Sequence, residues 1–549
     1  MSNKLPRRPR PATAGERARL RAQAERALAA NDIAAAARIA ERAIAAGDAD
    51  PMYLNLAAWQ REEAGDYSAA LDLLHRALAI APGDVLIAGA IGAVLRKDGR
   101  LSEALATLDR VVAAEPRHGA AWLERGYTLE AMRLEAAAGD SYRRAVAVDA
   151  TLSPAWGRLA DAAARRGETD EARQLAERAL ALAPLDPSAA AALATIAIEA
   201  RDGPGAEARL RPLLPVVRGD DRTRTLTLLG DALDRQGRTA EAFAAYDAAQ
   251  ANFRDVYRRV LAPGTDRPSH RAFIERIADQ VAARGDVAPA PAARTAVEAA
   301  KRHVFLLGYP RSGTTLVENI LASAAGVSAL EERDTLAATD GVLLHDDGTL
   351  ADLDAIGEEQ CEALRTAYWQ RVRGYGASTA GTFVDMNPLG GARLPIIARL
   401  FPDARILVMR RDPRDVVLSC YRINFTPSPA AWCFSDLTEA ARHYDALMRL
   451  TETCRAHLPL AFHEVRYDRL VTDFEATVRA MATFIDLPWT DDFLRFDRTA
   501  QRRGVGTASA TQVRQGLFDG RGQWRRYAEQ LAPALPILAP WVERYGFAD

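Results

Sequence analysis

A spacing of 34 residues recurs through the N-terminal half of the chain and constrains its fold more than any other feature. Small and turn-forming residues keep one register at this spacing, among them Gly65, Gly99, Gly167, Pro82, Pro116, Pro184 and the series Ala36, Ala70, Ala104, Ala138, Ala172 and Ala206. Apolar residues between them recur at i, i+3, i+4 and i+7, the stripe of a packed helix. The pattern predicts pairs of short antiparallel helices, with glycine at the turn and alanine where the helices approach closely.

The register divides the chain into four predicted parts. A basic, proline-rich tail that we expect to be disordered occupies residues 1–13, and a tetratricopeptide-like solenoid of about seven units occupies residues 14–252. Residues 253–300 are predicted to link this solenoid to a second domain at 301–549. Solenoids of this kind expose a concave face, which we expect to bind the acceptor or a partner protein. A rigid spacer and an oligomerisation surface, including one for a homodimer, are the alternatives.

Composition narrows the classes of function. The 549 residues carry a net charge of −2, which gives no electrostatic reason to expect nucleic-acid binding. The four cysteines lack C-x-x-C spacing, so neither a disulfide framework nor a zinc site is expected. No apolar run reaches the roughly 18 residues of a membrane-spanning helix, and the basic N-terminus lacks the apolar segment of a signal peptide. We therefore expect a cytoplasmic protein with no membrane span.

The stretch HVFLLGYPRSGTTLVENI, residues 303–320, predicts a short strand, a glycine-bounded loop and a helix. Gly308 and Gly313 stand five residues apart before two threonines, so the loop amides and the helix N-terminus form a cradle for an anion. Nucleotide-binding loops of this type read G-x-x-x-x-G-K-S/T. Here Thr314 takes the lysine position, and Arg311 supplies the cation from inside the loop. We expect the loop to hold a phosphate or sulfate group, but not as an ordinary Mg-nucleotide site.

Apolar runs alternate with helical stretches after this loop and predict strands at 382–385, 405–410 and 462–467. The alternation predicts a P-loop-like α/β domain with a central parallel sheet. Ligands of such sheets bind at the carboxyl ends of the strands. This gives weight to Arg411, directly after one strand, and to Ser419 in the next helix, since the two can converge on one phosphate. The alternative for this segment is a helix N-cap at Asp412, before Pro413.

A third polar segment, residues 506–527, is rich in Gly, Ser, Arg and Gln and contains Trp524. In the order PRSGTT, RRDPRDVVLS and this segment, the motifs resemble sulfotransferases that use 3′-phosphoadenosine 5′-phosphosulfate (PAPS). With the repeats, the chain resembles bacterial fusions of tetratricopeptide repeats to a sulfotransferase domain, related to the tyrosylprotein sulfotransferases. The resemblance implies transfer of a sulfuryl group from PAPS to an acceptor hydroxyl, of a protein tyrosine or a saccharide, with PAP as product. No metal is expected, because a sulfuryl group carries less charge than a terminal phosphate.

The resemblance also implies roles for individual residues. The 5′-phosphosulfate would lie on the loop residues Arg311, Ser312, Gly313, Thr314 and Thr315. Arg411 and Ser419 would hold the 3′-phosphate. Tyr467 would line the nucleotide site, Arg514 would close over it, and Ser509 would lie near the sulfuryl group.

The same resemblance implies a catalytic base. Counting without gaps from PRSGTT places Glu332, in the segment LEER, at the position of the family's base, where a desolvated carboxylate accepts the acceptor's proton; a solvated surface pair is the alternative. Two departures matter: Asp334 replaces an arginine, and Met386 replaces a lysine that stabilises the leaving phosphate. Methionine cannot donate a proton, so Arg311 or Asn387 would take over. A catalytically inactive PAP-binding scaffold is therefore one alternative function, and a P-loop kinase or NTPase is another.

Overall fold

The structure is a computed structural model that describes residues 13–288, 299–503 and 517–547, with residues 500–503 described by backbone alone. The chain divides into two compact units. The first comprises Met1–Ala164 and Glu168–Leu193, and the second comprises Arg165–Gly167 and Ala194–Asp549. Within the described ranges, none of the helices is both long and apolar enough to cross a membrane.

Between residues 13 and 261, all of which the structure describes, fourteen α-helices follow one another. They are α1 (Ala14–Ala29), α2 (Ile33–Ala45), α3 (Pro51–Glu63), α4 (Tyr67–Ile80), α5 (Val85–Lys97), α6 (Leu101–Ala114), α7 (Gly119–Ala131), α8 (Glu135–Val148), α9 (Ser153–Arg166), α10 (Thr169–Leu182), α11 (Pro187–Glu199), α12 (Gly203–Leu210), α13 (Gly219–Arg235) and α14 (Thr239–Leu261). Neighbours pack in pairs, for example α3 with α4 and α13 with α14. The predicted all-α solenoid is confirmed.

The repeated residues explain why these helices form and pair. The six alanines that are 34 residues apart are all buried, with at most 2% of each exposed. The turn glycines adopt positive φ angles, for example 73° at Gly65 and 80° at Gly167, a conformation that costs a residue with a Cβ atom. Trp122 and Trp156 repeat one contact, since each Nε1 donates to a carbonyl oxygen six positions earlier at 3.0 Å. The repeated alanines therefore allow close packing of the helices, the glycines form the turns, and the two tryptophans make the same hydrogen bond in successive units.

A parallel sheet forms the centre of the second unit. Its described strands are β1 (Arg302–Leu307), β2 (Val327–Glu331), β3 (Thr382–Met386), β4 (Arg405–Arg410) and β5 (Ala461–Arg466). They pair in the order β2-β3-β1-β4-β5, with every pairing parallel. The carboxyl ends of all five strands therefore lie at one edge. This confirms the predicted α/β domain, although β2 was not among the strands that the sequence predicted.

Twelve further helices appear in the described residues beyond 261. They are α15 (His270–Arg284), α16 (Thr314–Ala322), α17 (Glu358–Gly374), α18 (Leu394–Leu400), α19 (Pro413–Tyr421), α20 (Pro429–Phe434), α21 (Leu437–His457), α22 (Tyr467–Thr472), α23 (Phe474–Phe484), α24 (Phe496–Arg503), α25 (Ala528–Leu531) and α26 (Leu535–Arg544). Alternate residues of the strands enter two separate apolar clusters. Phe305 and Phe383 belong to one cluster, whereas Val304 and Val384 belong to the other. The sheet is therefore covered on both faces, and its carboxyl edge is left for ligands.

Candidate functional site

The carboxyl edge of the sheet gathers residues that lie far apart in the sequence. The five strands are followed or ended there by the loop 308–313 (β1), Glu332 (β2), Met386 (β3), Arg411 (β4) and Tyr467 (β5). The register pairs the last residue of β2 with that of β3, and the last residue of β4 with that of β5. The strand ends are therefore level within each of these two pairs, although β4 continues three residues beyond Leu407, which is level with Met386 through Leu306. The predicted site residues among them lie along one edge of the sheet.

The loop after β1 is shaped for an anion by its backbone. Gly313 has a φ of 109° and precedes α16, whose N-terminus has no side-chain cap. A Cβ atom on Gly313 would stand 3.0 Å from Met409 Cε and 3.0 Å from Tyr467 Cδ2. Inside the loop, the Tyr309 amide donates to Ser312 Oγ at 3.3 Å. The uncapped first turn of α16 and the tight loop have the backbone geometry that an anion cradle needs, and anion binding there stays a prediction.

Two arginines and a serine meet beside this loop. Arg311 Nε donates to Ser419 Oγ at 3.1 Å, and Arg411 Nη1 donates to the carbonyl oxygen of Arg311 at 3.0 Å. Burial and the positive charge of Arg411 lower the pKa of Arg311 to about 10. A bound anion would relieve this repulsion between two guanidinium groups. The structure thus brings Arg311, Arg411 and Ser419 together around the loop.

A C-terminal strap, defined here as residues 517–527, lies against the end of β4 and β5. Arg411 Nη2 donates to the Gly520 carbonyl oxygen at 2.6 Å. Tyr467 OH donates to the Phe518 carbonyl oxygen at 2.6 Å and accepts from the Gly520 amide at 3.3 Å. The Arg411 guanidinium also stands 4.6 Å above the centre of the Tyr467 ring. The strap, Arg411 and Tyr467 therefore form one wall of the site.

Two predicted residues cannot be placed in this wall, because Ser509 and Arg514 lie outside the described residues.

The segment that begins at Arg411 contains both a helix N-cap and an arginine that faces the loop, the two interpretations that the sequence offered for it. Asp412 caps α19 by accepting from the Arg414 amide at 2.9 Å, as the N-cap alternative proposed. Arg411 itself still faces the loop and the strap.

Sequence reasoning missed Asp415, which fastens the strap to α19. Its carboxylate accepts from the amides of Gly522 at 2.7 Å and Trp524 at 2.9 Å. The guanidinium of Arg414 lies 4.0 Å above the Trp524 ring. The only signal in the sequence is a second aspartate in RRDPRD, which is too common to predict a contact across more than 100 residues.

Glu332 and Met386 meet through their backbones. The Glu332 amide donates to the Met386 carbonyl oxygen at 2.8 Å. Glu332 is half-buried and has a φ of 48°, an uncommon conformation for a residue other than glycine. The Met386 side chain is fully buried in the apolar cluster that contains Leu306 and Val384. Met386 therefore positions Glu332, while its side chain belongs to the core.

A small cavity of about 20 Å³ lies beside this strand end and is lined by residues that include Asp334, Asp385 and Arg393. Asp385 Oδ2 accepts from Thr335 Oγ1 and from Tyr368 OH, both at 2.7 Å. Burial raises the pKa of Asp385 to about 6, against the opposing effect of these two hydrogen bonds. This buried acid on the opposite face of β3 from Met386 was also missed by sequence reasoning.

A buried chain of hydrogen bonds supports the loop from behind. Tyr309 OH pairs with His443 Nδ1 at 2.8 Å, and His443 Nε2 pairs with His270 Nδ1 at 2.7 Å. Burial lowers the pKa of His270 to about 4, so the histidine pair is neutral at physiological pH. The loop is therefore attached to α21 and α15 without additional charge.

Three stretches of the chain match models of known protein families. Residues 303–491 match the family model described as the sulfotransferase family. Residues 62–124 and 153–196 match two models described as tetratricopeptide repeats. The chain therefore joins tetratricopeptide repeats to a sulfotransferase-family domain, which confirms the resemblance stated from the motifs.

Similar proteins include members named as tyrosine sulfotransferases. Protein-tyrosine sulfotransferase A of Caenorhabditis elegans is 23% identical over 256 residues, which cover 44% of this chain and 67% of that protein. Protein-tyrosine sulfotransferase 1 of Danio rerio is 24% identical over 262 residues, covering 44% and 72%. An uncharacterized protein of Aquifex aeolicus (strain VF5) is 30% identical over 269 residues. That match spans 45% of this chain and only 34% of the Aquifex protein.

Two solved structures are among those similar to part of this chain. The APC/C hetero-tetramer Cut9–Hcn1 gives a TM-score of 0.35 at 17% identity, covering 44% of this chain and 49% of that chain. A tetratricopeptide repeat protein from Parabacteroides merdae gives a TM-score of 0.34 at 16% identity, covering 43% and 93%.

Proposed function

We propose that this chain is a sulfotransferase that uses PAPS as donor and an acceptor hydroxyl as substrate. One observation carries the proposal: the anion cradle of the loop and the separate cation Arg411 are joined by the bond from Arg411 Nη1 to the Arg311 carbonyl oxygen. PAPS carries two anionic groups, a 5′-phosphosulfate and a 3′-phosphate. The site offers one cationic position for each of them.

The residues present fit this donor. The loop residues Arg311 to Thr315 and the uncapped N-terminus of α16 would hold the 5′-phosphosulfate. Arg411 would hold the 3′-phosphate, since its Nε is buried and has no hydrogen-bond partner among the described residues. Ser419 accepts from Arg311, so its own hydroxyl proton can be donated to the same phosphate. Tyr467 would line the nucleotide site. The roles of Ser509 near the sulfuryl group and of Arg514 over the donor stay predictions from the sequence.

Bound PAPS would supply the electrophilic sulfuryl group, and the protein would supply positioning and proton transfer. Glu332, held at the end of β2 by the Met386 carbonyl oxygen, would accept the proton of the acceptor hydroxyl. Arg311 would stabilise the negative charge that develops on the leaving phosphate, because Met386 cannot do so. No step of this proposal requires a metal.

The acceptor is proposed to be large, either a protein tyrosine or a saccharide, with the repeat array binding the acceptor or a partner protein. The names of the Caenorhabditis and Danio relatives support the first choice. The repeat matches support a role in protein binding. A homodimer and a cytoplasmic location stay predictions from the sequence.

Incubation of the full chain with sulfur-labelled PAPS and a panel of tyrosine peptides and saccharides tests the proposed activity. We expect label in one class of acceptor, and we expect Glu332→Gln to reduce transfer by at least about 100-fold, the usual contribution of a general base. Glu331→Gln makes the same chemical change one residue earlier and is the matched control. Equal turnover in Glu332→Gln and the wild type would refute the role of the base.

The inactive PAP-binding scaffold is favoured by a specific observation, the burial of Met386 in the core at the lysine position. The scaffold and the active enzyme predict different results in the experiment with labelled PAPS. A scaffold binds PAP but transfers no label to any acceptor in the panel.

A further inference from the structure

Helices α13 and α14, most of which lie in the residues predicted to form the repeat array, pack in the second unit against α19. Gln250 Nε2 donates to the Tyr421 carbonyl oxygen at 2.6 Å, and Tyr421 OH donates to Asp247 Oδ1 at 2.6 Å. The Tyr421 ring also stacks on Phe243, with ring centres 5.5 Å apart. Since α19 carries Ser419, these contacts attach a repeat hairpin to a helix of the proposed cofactor site.

Asp234, in the last turn of α13, is the centre of a second set of contacts. Arg422 Nη2 donates to Asp234 Oδ2 at 3.1 Å, and Tyr527 OH donates to Asp234 Oδ1 at 2.6 Å. Arg526 Nη1 lies 2.9 Å from the same Oδ1 atom. Only 12% of the Asp234 side chain is exposed. Burial alone would raise its pKa, but Arg422, Tyr527 and Arg526 together hold the pKa of Asp234 below its ordinary value.

The two main partners of Asp234 belong to two different elements beside the proposed 3′-phosphate position. Arg422 follows α19 directly and stands three residues after Ser419. Tyr527 ends the C-terminal strap, whose Gly520 carbonyl oxygen accepts from Arg411. The Arg422 guanidinium lies 5.4 Å from the centre of the Tyr527 ring. One carboxylate of the repeat array therefore joins α19 to the strap.

We propose that the hairpin α13–α14 is a positioning element of the cofactor site, and that Asp234 acts through Arg422 and Tyr527 to hold Ser419 and the strap at the separation that a 3′-phosphate requires. Asp234 touches neither the loop nor Arg411, so its role is positioning and not catalysis. The inference rests on the proposed function, because it assigns the 3′-phosphate of PAPS to this position. It means that the last repeat hairpin serves donor binding, in addition to any role in binding a partner.

Titration of the full chain with PAP and with adenosine 5′-monophosphate (AMP), which lacks the 3′-phosphate, tests this assignment. We expect Asp234→Asn to weaken PAP binding about tenfold, the equivalent of one misaligned charge-assisted contact. AMP binding should change less than about twofold, so that the preference for PAP over AMP falls. Tyr527→Phe keeps the aromatic ring and removes one hydrogen bond, and it should lower the preference in the same direction by a smaller factor.

Glu207→Gln is the matched control. The Glu207 side chain is 14% exposed, close to the 12% of Asp234. It accepts hydrogen bonds from Gln236, Arg238 and Arg211, all of which belong to the repeat hairpins or the turns that connect their helices. This variant should lose stability like Asp234→Asn but keep the wild-type preference for PAP. If Asp234→Asn and Tyr527→Phe both keep that preference, the positioning role is overturned. If the wild type binds no PAP at all, the proposed function itself is refuted. This result differs from one in which the wild type binds PAP but the variants keep its preference, which refutes only the positioning role.

Discussion

Replacement of Arg411 by alanine tests the electrostatic part of the site. The side chain makes two hydrogen bonds to carbonyl oxygens, of Arg311 and Gly520, and packs over the Tyr467 ring. A charge-assisted contact to a phosphate contributes about 1.5–3 kcal/mol, or roughly 10- to 150-fold in Kd. Relief of the repulsion on Arg311 offsets part of this loss. We therefore expect PAP to bind Arg411→Ala about 10- to 100-fold more weakly.

Isothermal titration calorimetry with PAP measures this loss, and Arg411→Lys separates its two components. Lysine keeps the charge but has a compact donor group in place of the planar fork, so its Kd should lie between those of the wild type and the alanine variant. Arg479→Ala removes a surface guanidinium that is paired with Glu475 on α23 and should leave the Kd unchanged. A Kd for Arg411→Ala within twofold of the wild-type value would refute the assignment of Arg411 to a phosphate.

Two predictions concern stability. Gly313→Ala should lower the free energy of unfolding in urea by about 2–5 kcal/mol, because φ is positive there and the new Cβ is overpacked against Met409 and Tyr467. Gly326→Ala is the control: φ is 78° and the space around the new Cβ is open, so the loss should be only about 1–2 kcal/mol. Equal losses in the two variants would contradict the close contact at Gly313. The pKa of Asp385 is raised from 3.8 to about 6, so its stabilising effect is complete below pH 3.8 and is lost as the pH rises through 6. Wild type should therefore lose about 2 kcal/mol more than Asp385→Asn between pH 4 and pH 7, and parallel pH profiles of the two proteins would exclude this shift.

The elements of this fold were largely predictable because their patterns report burial. The 34-residue register marks positions such as Ala104 and Gly99, where the backbone or the packing tolerates few residue types. The apolar run at β4 likewise indicates a strand buried on both faces. The strand β2, with the sequence VSALE, has too few apolar residues to stand out, and its place in the sheet comes from pairing with β3.

The site was predictable only where its motifs are local. The spacing of two glycines predicts the loop that ends at Gly313. The position of this loop beside Arg411 depends on the strand order, which is a property of the whole sheet. Contacts such as Tyr527 to Asp234, separated by 293 residues, leave no local signal, since each partner alone resembles an ordinary surface residue. The burial of Met386 in the core depends on which face of β3 it occupies, and the substitution of the family's lysine says nothing of this packing.

Calorimetric titration of the full-length wild type with PAP, and separately with ATP and Mg²⁺, tests the central claim most directly. We expect PAP to bind at least about tenfold more tightly than ATP with Mg²⁺, because Arg411 and Ser419 offer a position for a 3′-phosphate and the loop lacks the lysine that contacts the terminal phosphates of ATP. Tight binding of ATP with Mg²⁺ and no binding of PAP would contradict the account and favour a P-loop kinase or NTPase.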